Sequence, residues 1–67
     1  MSVTTGLLEI KPWGVIEWVT VRAVINSPDD YRIVYDNKDL ATVHAVDQPD
    51  LVDQANKAWR KAFPKGP

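Results

Sequence analysis

Apolar and polar residues follow three different rhythms along this chain of 67 residues. From Val15 to Ile25 the sequence is dense in Val, Ile, Trp and Thr. These side chains suit a pleated surface and lose χ1 freedom in a helix, so the run predicts a strand. Its later half alternates. Val19, Val21, Ala23 and Ile25 point to one face, taken as the inner one, while Trp18, Thr20, Arg22 and Val24 point to the other. Glu17 interrupts the inner set. A bulge near Gly14, or a strand end at the rim, would account for it.

The flanking segments extend this pattern. Residues 1–6 are small and polar and are expected to be a loose leader. Leu7-Leu8-Glu9-Ile10 predicts a short strand. Lys11-Pro12-Trp13-Gly14 predicts a β-turn that sets Ile10 opposite Val15, because proline presets φ at the second position and glycine is favoured at the fourth. After the central strand, Asn26-Ser27-Pro28-Asp29-Asp30 is a turn cluster. Tyr31 to Tyr35 then returns antiparallel. Placing Tyr31 opposite Ile25 sets Ile33 opposite Ala23 and Tyr35 opposite Val21. Tyr31, Ile33 and Tyr35 thereby join the inner face, and Arg32 and Val34 the outer one.

Asp36-Asn37-Lys38-Asp39 predicts another turn, followed by a strand over Leu40–Val46. Either Ala41, Val43 and Ala45 face inward with Thr42 and His44 outward, or the reverse. The first arrangement is preferred, since small inward residues leave room for a helix with large aromatics. The rhythm then becomes helical. Leu51, Val52, Ala55, Ala58, Trp59, Ala62 and Phe63 form one apolar stripe. Asp47 is the expected N-cap, Pro49 fits the first turn, and Pro64 stops the helix. Asp50 and Asp53 near its start, and Lys57, Arg60 and Lys61 near its end, match the helix dipole. The expected fold is α+β: a small antiparallel meander of three or four strands with one C-terminal helix packed on one sheet face. Residues 1–67 form a single domain, with 1–6 and 64–67 expected to be flexible.

Size and composition narrow the function classes. A chain this short buries only about 60% of the surface its unfolded form exposes. With no cysteine, neither a disulfide nor a thiolate metal site can supplement the core. Formal net charge is −1, with 8 basic and 9 acidic residues, so no overall field draws the chain to nucleic acid or anionic membrane. The N-terminus lacks a basic segment followed by an apolar one, and the apolar run of residues 13–25, interrupted by Glu17 and Arg22, is too short to cross a bilayer. A cytoplasmic protein without membrane contact is expected.

Candidate chemistry is sparse. His44 is the single histidine, and Ser2 and Ser27 supply the serine hydroxyls. A Ser27–His44 dyad would join a turn to mid-strand without an evident oxyanion site. Asp29-Asp30 and Asp36–Asp39 lack the alternating ligands, central glycine and terminal glutamate of a calcium loop. Lys57, Arg60, Lys61 and Lys65 could contact phosphate, but dipole complementarity and a solvated face are the preferred explanation of a basic C-terminal end.

The open sheet face is more informative. A single helix covers only one side of a small sheet. The other side would present Trp18, Thr20, Arg22, Val24, Arg32, Val34, Thr42 and His44. Trp and Arg are the types that dominate interface hot spots. The expectation is a non-enzymatic interaction module of the adaptor or inhibitor kind. It would bind a larger protein, or a second copy of itself, through this face or a strand edge. Trp13, Trp18, Arg22, Arg32 and His44 are the candidate contact residues, and no cofactor is expected. The alternative is a nucleic-acid-binding module stacking bases on Trp18 between the arginines. A minimal hydrolase or metal enzyme is the third.

Overall fold

The structure, a computed structural model, describes residues 3–64. Four strands form one antiparallel sheet in chain order: β1 (Gly6–Ile10), β2 (Glu17–Val24), β3 (Ser27–Tyr35) and β4 (Lys38–His44). The helix α1 (Gln48–Ala62) follows and packs against the two edge strands, β1 and β4. The fold is therefore the α+β meander with a C-terminal helix that the hydrophobic pattern predicts. Ser2 and Lys65 lie outside the described residues.

The core lies between the inner sheet face and the helix. Leu8, Ile10, Val19, Val21, Tyr31, Ile33 and Ala45 meet Leu51, Ala55 and Trp59. Complete burial of an aliphatic side chain stabilises a fold by about 1.5–3 kcal/mol, and Ile10, Val19, Val21, Ile33 and Leu51 are all essentially inaccessible. The expected inward set on β4 is correct: Ala41 and Val43 sit opposite the buried Ile33 and Tyr31. Tyr35 also faces inward and meets Trp59 edge to face, with ring centroids 4.6 Å apart.

One inner assignment fails: Ile25 lies in the turn between β2 and β3 with 86% of its surface accessible, while Ala23, opposite the inward Tyr31, keeps its side of the sheet but is exposed. The cause is a tighter connection than the turn cluster suggests. Val24 pairs directly with Ser27, leaving Ile25 and Asn26 as a two-residue loop with Asn26 at φ +64°. Asn tolerates this left-handed conformation. Pro28, Asp29 and Asp30 then have no partner on β2, and pairing resumes at Ala23–Tyr31 and Val21–Ile33. Proline cannot donate to the ladder, which fits an interruption at Pro28. The expected register was thus shifted by two residues, a displacement that preserves the facing of every side chain.

The remaining loops follow local chemistry. Asp36 and Asn37, at φ +52° and +62°, make a two-residue hairpin loop closed by Tyr35–Lys38. Two consecutive positive φ values match the twist of the flanking strands. Gly14 donates its N–H to the Lys11 carbonyl, as the expected β-turn requires, and sits at φ +80°. However, Ile10 pairs with Glu17 rather than Val15, so the β1–β2 loop runs from Lys11 to Ile16. Glu17 is therefore a strand end at the rim.

The leader is tied down where it is described. Val3 packs against the core, and the Thr4 N–H donates to Gln48 Oε1 at 2.9 Å. Asp47 caps α1, its side chain accepting from the Asp50 N–H at 2.9 Å. The Asp50 carboxylate accepts from the Val46 N–H in return. The helix closes on a hydrogen bond from the Phe63 N–H to the Trp59 carbonyl, immediately before Pro64. No helix among the described residues is long and apolar enough to cross a membrane.

Candidate functional site

Strand register arranges the outer face as cross-strand rows. Glu9 stands beside Trp18. Leu7, Thr20, Val34 and Asp39 form the next row. Arg22, Arg32 and Thr42 form the third, and Asp30 and His44 a fourth. Alternation along each strand places these on the side opposite the helix, with Asp39 brought there by the register shift between Ile33 and Val34, which leaves Leu40 packed against the core. Trp18 is 52% exposed and Leu7 74% exposed, so a short apolar strip lies over β1 and β2 on this face.

Charge is distributed unevenly around that strip. Arg22 and Arg32 are directly opposite one another, and both are exposed. Arg32 Nε lies 3.6 Å from Asp39 Oδ2, a loose and well-solvated pair. Exposed pairs of this kind contribute little. Arg22 has no ion pair or side-chain hydrogen bond among the described residues. Together with Ala23, Val24 and Ile25, the two arginines line a recess of about 370 Å³.

At the next corner, His44 Nδ1 is 2.9 Å from Asp30 Oδ1. That hydrogen bond is the main reason the His44 pKa lies above its ordinary 6.5. Partial desolvation works against it, while the charges of Asp30, Asp29 and Asp50 add to it. His44 is therefore held by a carboxylate, not by Ser27.

Of the five candidate contact residues, Trp18, Arg22, Arg32 and His44 share the outer face. Trp13 does not belong with them. It sits in the β1–β2 loop, where its indole Nε1–H donates to the Phe63 carbonyl at 3.2 Å. Arg60 Nη1–H reaches the Pro12 carbonyl at 3.1 Å, and the Lys11 N–H donates to Asn56 Oδ1 at 3.0 Å. The loop is thus docked along the C-terminal half of α1. These bonds also engage Arg60, and Lys57 pairs with Asp53 one turn earlier at 3.2 Å. Of the basic residues weighed for phosphate, Arg60 is thus tied to the loop, while Lys57 is in an exposed ion pair.

Leu7 was missing from the candidates, although the alternation Leu7/Glu9 against Leu8/Ile10 carries its outward direction. The turn aspartates do not converge: among the described residues, no three His, Cys, Asp or Glu side chains are placed to hold a metal ion. No family model, curated protein or solved structure matches this chain.

Proposed function

We propose that this chain is a small non-enzymatic interaction module that docks on a larger cytoplasmic protein through the outer face of its sheet. The observation that carries this reading is Trp18. A large aromatic stands half exposed diagonally across from Leu7, on a face that no element among the described residues covers, with two arginines two cross-strand rows away. Leaving a tryptophan in water forgoes burial that the small core could have used, and Trp and Arg recur at interface hot spots. An apolar strip rimmed by charge is the usual anatomy of a protein interface. Adaptors and inhibitors act through such surfaces without chemistry of their own.

The test compares the wild type with Trp18→Ser, each immobilised and exposed to host lysate. Circular dichroism establishes that the variant retains the fold. A protein retained by the wild type and lost with Trp18→Ser is the expected result. Equal retention by both would refute docking through this face. Light scattering on the purified chain separates the self-association form of the idea, since a dimer that dissociates on Trp18→Ser would make the partner a second copy.

A further inference from the structure

We infer that Arg22 and Arg32 form a two-guanidinium site for a carboxylate side chain of the partner protein. This inference rests on the reading of the outer face as a docking surface and names the chemistry of one contact within it. Three observations converge. First, the arginines occupy a directly opposed cross-strand position. Like charges placed so are mutually destabilising, so the pairing opposes the stability of the free chain. Second, the internal compensation is incomplete: Asp39 lies near one guanidinium only, at 3.6 Å, and Arg22 has no anionic neighbour within ion-pair distance among the described residues. Third, the two side chains share an open recess with Ala23, Val24 and Ile25, which offer apolar surface to the residues flanking a bound carboxylate.

The surroundings select the kind of anion. Guanidinium groups bind carboxylates through two parallel N–H···O bonds, a match that lysine cannot reproduce. A polyanion would also meet Glu9, Asp30 and Asp39 on the same face, and net charge is −1. Nucleic-acid affinity depends on many phosphate contacts along a basic surface. This site offers one point of positive charge enclosed by negative ones. A single Asp or Glu side chain, flanked by an apolar residue resting on Val24 or the highly exposed Ile25, fits that pattern.

The experiment is a titration of the full ¹⁵N-labelled chain with an end-blocked tripeptide carrying one glutamate between two leucines, followed by amide and arginine Nε–H signals. Parallel titrations use inorganic phosphate and a hexathymidylate at the same ionic strength. Expected are shifts confined to residues 22–25 and 32, and an apparent affinity at least tenfold weaker in Arg22→Gln. Arg22→Lys, which keeps charge but not the fork, is expected to lose most of the same affinity. Lys57→Gln, on the helix, is expected to leave it unchanged. Arg22→Gln is also expected to melt no lower than the wild type, because it relieves the opposed charges. A residue kept for structure would give the reverse.

Absence of localised shifts, or shifts that survive Arg22→Gln, would overturn the site. Phosphate giving the same response as the peptide would reduce it to nonspecific anion attraction, and tighter binding of the oligonucleotide would replace it with nucleic-acid recognition. The two readings fail separately. A failed titration beside Trp18-dependent retention removes the carboxylate site alone. A successful one beside Trp18-independent retention removes the wider face.

Discussion

Single residues on the outer face carry charges whose state depends on pH. The His44–Asp30 contact raises the pKa of the imidazole above 6.5, chiefly through their hydrogen bond. A group whose folded pKa exceeds its unfolded one binds protons more tightly in the native state. Its contribution to stability is therefore fully present below pH 6.5 and is lost as pH rises through the raised value. Asp30→Asn removes the charged acceptor, so the imidazole pKa is expected to fall back toward 6.5, as read from the His44 ring-proton shifts against pH. A His44 titration unaltered by Asp30→Asn would show that the contact does not govern the ring. The same pair lies next to the row of Arg22 and Arg32, so protonation adds a third cation at that corner of the sheet.

Elements follow from local rules here more closely than their pairing does. The cap of α1 rests on one side chain, and Asp47→Ala is expected to lower stability by about 1 kcal/mol in urea unfolding. Asp47→Asn, which still accepts the Asp50 N–H, is expected to cost much less. The strands were legible because β-branched density and alternation are local signals, and the helix because its apolar stripe and caps agree. The register between β2 and β3 was not, because two turns compete at Ile25–Asp30 and both leave side-chain parity intact. The decision falls to Asn26 adopting a left-handed conformation and to the missing donor of Pro28. For the same reason the error spared the candidate face: a shift of two residues moves Arg32 from Val24 to Arg22 without turning it over. It did hide the opposed arginines, which become visible only in the true register. Trp13 stands in the turn the sequence predicts, but its tie to the helix end was not legible, since its partner Phe63 lies 50 residues away in sequence.

At the scale of the whole molecule, one layer of side chains between sheet and helix supports everything. Domains of this size gain only about 3–5 kcal/mol from a single core. Leu51 is fully buried at the first turns of α1. Leu51→Ala is expected to cost about 3 kcal/mol and to leave much of the chain unfolded at equilibrium, measured as a lowered urea midpoint. Ile25→Ser, in the exposed hairpin loop, is expected to change stability by less than about 0.5 kcal/mol. Near-equal midpoints for the two variants would contradict the layered core described above.

The bonds from Thr4 and Lys11 to Gln48 and Asn56 bind the two ends of β1 to α1, across 44 and 45 residues of chain. During biosynthesis β1 is made before α1, so these ties and the helical half of the core form only after α1 has been synthesised. Until then the nascent meander has only its β-turns and ladders, and its inner apolar face has nothing to cover it. Such exposed faces and strand edges are where chains associate wrongly. The interval between synthesis of Ile10 and of Asn56 is thus the period in which the growing polypeptide is most exposed to aggregation and most open to chaperones.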